Sequence, residues 1–355
     1  MKKRISIADI AKELNVSKTS ISFVLNGKAR ENYISEALAE RILKYVEKVG
    51  YKPNDLARGL RTGKTQIIGM LVEEISDPFF SSIARIIEES AYKKGYKIFY
   101  SSTENNPEKT KELINVYRSR QVDGYIIAPT PGIEEDIKAL LNDNLPVVLF
   151  DRYFPDLPTD TVVIENYESS FIAVKHLINN GFNSIAFITL VSDQVQMEDR
   201  LNGYLQAIEE SKLKPIVKAV SFENKPEENV KEIKRFLEQQ NNLDALFFST
   251  NYLAENGLEA IQELNIRIPE DLGIVVFDDS NLFRLFSPPI TAISQPIKEL
   301  SEAIIDLLLS RLTGNDETLD KKMIVLPATL MERKSSRSVA KLPEPAGKKK
   351  IKKPV

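Results

Sequence analysis

The sequence predicts an α + α/β chain: a small helical headpiece with a helix-turn-helix, a short linker helix, and a large core of parallel sheets in two halves. Three observations lead there. Residues 5–28 carry apolar positions at helical spacing, broken once by a tight turn. From Gln66 onward, short apolar runs alternate with amphipathic stretches. Charge is also sharply divided within a net −3. Residues 1–66 hold 14 Lys/Arg against 7 Asp/Glu, residues 341–355 hold 6 Lys against one Glu, and the remainder therefore carries −15. A basic head on an acidic body implies that only the head meets a polyanion.

The elements follow in order. Ser6 with Asp9 three residues on opens a first helix as a capping box, and Ile7, Ile10, Ala11 and Leu14 repeat along it. Asn15-Val16-Ser17 is the turn. Asn tolerates the left-handed exit, and Ser17 caps a second helix whose inner face is Ile21, Val24 and Leu25. Lys18, Thr19, Ser20, Ser22 and Phe23 are left facing elsewhere, on a helix of the right size for a DNA major groove. Ser35 caps a third helix running to about Val49, which Gly50 ends. Pro53 blocks continuation, and Asn54 can cap a one- to two-turn helix, too small to fold alone, within 54–66.

In the core, strands are expected at 67–72, 96–102, 122–129, 146–151, 162–164, 184–190, 245–250, 273–278 and 323–327. Helices are expected at 79–94, 107–120, 133–143, 168–180, 199–211, 226–240, 253–264 and 297–312. Nearly continuous apolar strands alternating with helices mean parallel sheets covered on both faces. Nine strands suit two similar halves better than one sheet, the first half ending near Asn166. Ligands in such sheets sit beyond the carboxyl ends of the strands, so two halves facing each other would enclose a cleft.

Composition excludes several chemistries. There is no cysteine, hence no disulfide, thiolate metal site or cysteine nucleophile. The single histidine, His176, sits in a helical pattern and reads as structural. No apolar run approaches the ~20 residues of a membrane span, and MKKRISIADIAKEL lacks a signal core, so a cytoplasmic location is expected. Arg61-Thr62-Gly63-Lys64-Thr65 resembles the end of a phosphate-binding loop, but Arg58 stands where that loop needs Gly and no strand precedes it. Asp278-Asp279 could be paired catalytic carboxylates; the preferred reading makes Asp278 a ligand acceptor and Asp279 a turn or cap. No nucleophile–base arrangement stands out, so no enzyme and no cofactor are expected.

Several motifs in order resemble the lactose-repressor/galactose-repressor family of bacterial transcription regulators. They are IADIAKELNVSKTSISFVLNGK, GYKPNDLARGLRTGKT, IIGMLVEEISDPFF, VDGYIIAPT, PVVLFDR, DRLNGY and IPEDLGIVVFDDSNLFRLFSPPITAISQP. The likeness spans about residues 5–333. It implies a homodimer with a headpiece at 1–53, a hinge at 54–66 and a periplasmic-binding-protein-like core at 67–333. The implied subdomains are about 67–166 with 294–322, and about 167–293 with 323–333. Crossovers would fall near Asn166, Ile293 and Met323, followed by a basic disordered tail at 334–355.

The resemblance also implies sites. Lys18, Thr19 and Phe23 would face base edges, and Ser17, Ser20, Ser22 and Asn26 would lie on the same DNA-binding surface, Ser17, Ser22 and Asn26 being suited to phosphates. Phe23 stands where relatives often hold a basic residue; it can pack on thymine methyls but cannot pair with guanine. Leu60 matches the hinge leucine that wedges into the minor groove, flanked by Ala57 and Arg58, with Asn54 opening the hinge. Phe79, Phe80, Asp151, Arg152, Arg200, Asn251 and Asp278 would line an effector cleft suited to a sugar or sugar derivative. Glu73-Glu74 and the loop LVSDQVQMED depart from the usual pattern. The implied function is a ligand-responsive, sequence-specific regulator of carbohydrate uptake or catabolism genes, expected to be a repressor. It would bind a pseudo-palindromic double-stranded operator. A transporter's solute-binding component and a sugar-acting enzyme are the rivals.

Overall fold

A computed structural model describes residues 5–51, 64–314 and 320–337. The chain divides into two compact units at Gln66/Ile67.

The headpiece is three helices, α1 (Ile7–Leu14), α2 (Lys18–Leu25) and α3 (Glu36–Lys48). Each begins on a serine whose hydroxyl accepts a backbone N–H three residues on: Ser6 from Asp9, Ser17 from Ser20, Ser35 from Leu38. Asp9 returns the bond to the Ser6 N–H at 2.9 Å, completing the capping box. Asn15 exits α1 in the left-handed region at φ 50°. The buried centre is Ile10, Ala11, Ile21, Val24 and Ile42, one cluster drawn from all three helices. Arg41 of α3 donates to the Leu14 carbonyl at 2.7 Å, tying α3 to the end of α1. The hinge positions Asn54, Ala57, Arg58 and Leu60 lie outside the described residues.

The second unit holds two six-stranded sheets. The first has order β11-β5-β4-β3-β1-β2: Met323–Leu326, Asp160–Ile164, Val147–Phe150, Gly124–Ile127, Ile67–Val72 and Lys97–Ser102, all parallel. The second has order β12-β10-β9-β8-β6-β7: Thr329–Met331, Thr291–Ser294, Gly273–Phe277, Ala245–Phe248, Ile185–Leu190 and Ile216–Val220. Only β12 runs antiparallel in it. Central strands such as β3, β4, β6, β8 and β9 are buried along their whole length, as strands covered on both faces must be.

Helices fill the crossovers: α4 (Pro78–Lys93), α5 (Pro107–Ser119), α6 (Glu134–Asn142), α7 (Asn166–Asn179), α8 (Val195–Glu210), α9 (Pro226–Gln239), α10 (Asn251–Glu263), α11 (Asn281–Leu285) and α12 (Ile297–Thr313). The chain passes between sheets three times: from β5 into α7, from β10 into α12, and from β11 into β12.

Two expected boundaries need correction. Met323–Leu326 belongs to the first sheet, paired with Thr161–Ile164, so the last crossover lies at Pro327-Ala328 and not at Met323. An apolar edge beside β5 is completed before the chain leaves. The tail also does not start at Lys334. Lys334–Ser336 form a 3₁₀ turn whose serines are buried. The Ser335 hydroxyl donates to the Ile274 carbonyl at 2.7 Å, and Ser336 Oγ lies 2.8 Å from His176 Nε2 and 2.6 Å from Thr291 Oγ1. His176 is therefore a structural clip on this terminus.

Candidate effector cleft and DNA-reading face

In the headpiece, Lys18 and Thr19 are exposed at the start of α2, and Phe23 is half-buried one turn on. Ser17 is committed to capping, its hydroxyl accepting the Ser20 N–H at 2.9 Å and meeting Ser20 Oγ at 2.9 Å. Asn26 turns its amide back to the Ser22 carbonyl at 2.7 Å and the Ser22 hydroxyl at 3.3 Å. Lys18 and Thr19 take no part in these bonds and stand where the helix N-terminus adds its own positive potential.

In the core, the carboxyl ends of strands from both sheets converge on one cavity. Glu73 and Asp77 follow β1; Asp151 and Arg152 follow β4. Gln194, Gln196, Met197 and Arg200 follow β6, Phe222 follows β7, Thr250, Asn251 and Tyr252 follow β8, and Asp278 follows β9. All seven sequence-selected residues (Phe79, Phe80, Asp151, Arg152, Arg200, Asn251, Asp278) line it. Sequence reasoning did not select Gln194, Gln196, Phe222, Tyr252 or Asp77. Phe222 follows a strand that the sequence did not reveal, and the glutamines sit in the stretch whose pattern departs from the family's, Gln194 just before α8 and Gln196 in its first turn.

The local geometry is specific. Asp151 and Asp278, each the first residue beyond a buried strand, adopt φ 66° and φ 73°. Aspartate is among the few side chains that tolerate this left-handed region, which is sparsely populated outside turns and functional sites. Asp77 caps α4 by accepting the Phe79 N–H at 2.7 Å and also accepts the Asn251 amide at 3.0 Å, a bond between the two subdomains. Gln194 reaches Asn105 across the same divide at 3.1 Å. Phe79 and Phe80 meet edge-to-face with centroids 5.0 Å apart, Phe80 buried against Phe150.

Arg200 lies over the Phe277 ring at 3.6 Å. It donates to Asn166 Oδ1 at 2.9 Å and the Ser249 carbonyl at 2.7 Å, with Asp278 Oδ2 at 3.5 Å. It is therefore internally anchored as well as cavity-facing. Arg152, 4% exposed, donates to Glu73 Oε2 at 2.6 Å. Burial pushes Asp278 up to about 6, against the pull of Arg200 and Gln295. Burial likewise raises Asp77 and Tyr252, the latter also through Glu73. Asp279 is not a catalytic partner of Asp278: it is clamped by Arg333 through two bonds of 2.8 and 2.6 Å.

Residues 6–54 match the bacterial regulatory proteins of the lacI family, and residues 174–336 match the periplasmic binding protein-like domain. The HTH-type transcriptional repressor PurR of Aliivibrio salmonicida is 31% identical over 335 residues, covering 93% of this chain and 98% of that one. The chain belongs to the lacI family. Its fold matches that of the lac repressor dimer bound to operator and the anti-inducer ONPF, with TM-score 0.81 and 21% identity over 94% of this chain and all of that one. A lacI-type regulator of Alkaliphilus metalliredigens complexed with D-xylulofuranose is 28% identical, with TM-score 0.67, over 76% of this chain and 98% of that one. As a lacI-family member, this chain carries its DNA-reading unit and its ligand-binding unit in one polypeptide. No helix among the described residues is long and apolar enough to cross a membrane.

Proposed function

We propose that this chain is a ligand-responsive, sequence-specific DNA-binding repressor that acts as a homodimer on a pseudo-palindromic operator and governs carbohydrate uptake or catabolism genes. The observation that carries it is the convergence of the seven residues Phe79, Phe80, Asp151, Arg152, Arg200, Asn251 and Asp278 on one cavity between two subdomains, in a chain whose first helices form a capped helix-turn-helix. Its relative is a named repressor, and a regulator with a similar core holds a five-carbon sugar. The effector is a monosaccharide of about that size. Carboxylates and guanidinium groups take its hydroxyls in pairs, and Phe79, Phe222 and Tyr252 pack on its apolar face. Its differential affinity for the open and closed core shifts operator binding through residues 54–66, with Leu60 as the wedge. The protein works in the cytoplasm, and the cleft binds without catalysing.

The test mixes the purified chain with its own upstream DNA in a salt series, with and without D-xylulose and D-ribose. Specific binding that a sugar alters supports the reading. No specific shift, or specific binding that survives deletion of residues 1–61, overturns it.

A further inference from the structure

Glu73 stands at the end of β1, where the first subdomain opens into the cavity, and its side chain is 16% exposed. It accepts a hydrogen bond from Arg152 Nη2 at 2.6 Å. On the other side of the same guanidinium, Asp151 Oδ2 lies 3.1 Å from Nε, close enough for attraction although not aligned as a hydrogen bond. Arg152 is thus held between two carboxylates and presents little net positive charge to the cavity. Arg200, the other cationic group of the lining, is occupied by Asn166, the Ser249 carbonyl and Asp278.

The lining as a whole is four carboxylates (Glu73, Asp77, Asp151, Asp278) against these two guanidinium groups. An anion entering here finds no cation that is not already matched, and Asp77 faces it with only uncharged partners, the Asn251 amide and the Phe79 N–H. Yet the wall is not satisfied. Arg152 Nε and Nη1 and Gln196 Oε1 are buried with no hydrogen-bond partner, their residues being 4% and 5% exposed. Two unmatched donors and one unmatched acceptor are the complement of hydroxyl groups, which both accept and donate. They are not the complement of a phosphate ester, which near neutral pH chiefly accepts and so leaves Gln196 Oε1 unmatched, and which carries its negative charge into an acidic pocket.

We propose that Glu73 is a charge-selecting residue, restricting the cleft to an uncharged polyol and refusing the phosphate ester or acid of the same sugar. This rests on the effector reading above and narrows its ligand class. By neutralising Arg152, Glu73 leaves the two unmatched nitrogens of that side chain, Nε and Nη1, as directional donors without leaving its charge as a bait for anions. Burial raises the proton affinity of Tyr252 on the facing subdomain, and the Glu73 charge adds to that rise.

The experiment measures melting-temperature shifts and titration calorimetry on the full chain with D-xylulose, D-ribose, D-ribose 5-phosphate and inorganic phosphate. The wild type is expected to bind a neutral pentose and to discriminate against the 5-phosphate by at least about a hundredfold. In Glu73→Gln, which keeps one oxygen for Arg152, the neutral-to-phosphate ratio is expected to narrow by about tenfold or more. Equal or tighter wild-type binding of the phosphate ester overturns this inference alone, whatever the variant does. An unchanged ratio in a folded Glu73→Gln removes Glu73 as its cause. Silence with every sugar overturns the pentose reading and this inference with it, and operator binding then tells whether the repressor reading survives.

Discussion

Replacing Asp278 by Asn separates the cost of a buried charge from its use. In the free protein, burial outweighs Arg200 and Gln295 and lifts the carboxyl from 3.8 to about 6. A folded-state value above the unfolded one means that the folded protein holds the proton more tightly. The ionised carboxylate therefore costs stability at pH above 6, and that cost fades as pH falls through 6 and is gone below the unfolded value near 4. At 1.36 kcal/mol per tenfold change in proton affinity, the cost above pH 7 is roughly 3 kcal/mol. Asn keeps an oxygen for the Gln295 amide, bonded at 2.5 Å in the wild type, and tolerates φ 73°. Arg200 keeps its two shorter bonds. Asp278→Asn is thus expected to melt higher than wild type above pH 7, by roughly 6 °C at ~2 °C per kcal/mol, with the difference shrinking through pH 6 and vanishing near pH 4. The same variant is expected to lose the stabilisation that sugar gives the wild type, which is ~2.7 kcal/mol at a hundred times the dissociation constant. Paired thermal scans from pH 4 to 8, with and without sugar, read both quantities. A variant less stable than wild type at pH 8, or a difference flat with pH, would refute the claim that desolvation dominates at this carboxylate.

Three further outcomes can be checked on the full chain. Ser17→Ala removes the cap of α2 and should cost the headpiece about 1 kcal/mol and weaken operator binding in gel shifts while leaving sugar binding unchanged. Gly203→Ala would place a methyl 2.2 Å from the Tyr167 carbonyl where α8 crosses α7, forcing the two backbones apart; a loss of about 3 kcal/mol is expected in chemical denaturation, together with weakened sugar binding, because Arg200 lies one turn upstream. Leu60→Ala should reduce specific operator binding far more than nonspecific binding, and equal losses on random DNA would remove the wedge.

What was readable in the sequence, and what was not, follows from how each residue is constrained. β4, β8 and β9 are apolar throughout because both faces are covered, so their ends could be placed within a residue or two, and Asp151, Asn251 and Asp278 with them. β7 alternates exposed and half-buried residues and carries Lys218, as an edge strand does, so it lacks the continuous apolar signal, and Phe222 beyond it went unselected. β12 is three residues long, below the length at which periodicity speaks, and β10 begins and ends on the polar residues Thr291 and Ser294. The serine caps were legible because capping is local: Ser6, Ser17 and Ser35 need only the three residues that follow them. The commitments of Arg152 and Arg200 were not, because Glu73 is 79 residues from the first and Asp278 is 78 from the second. Only the fold brings those charges together.

The same pairs bear on how a ligand could work the switch. Described contacts across the cleft include Asn251 to Asp77 at 3.0 Å and Gln194 to Asn105 at 3.1 Å. Each such bond nets about 1 kcal/mol, somewhat more where a carboxylate accepts. Bonds of this kind hold the two subdomains together weakly, and an equilibrium of a few kcal/mol is one a small ligand can move. A sugar seated between Asp151 and Arg152 on one side and Asn251 and Asp278 on the other would satisfy both subdomains only when they are close. It would also compete for the Asn251 amide that now bridges to Asp77, exchanging a protein–protein tie for a protein–ligand–protein one. The free energy of switching is then the difference between those ties, set by the carboxylates and amides at the strand ends.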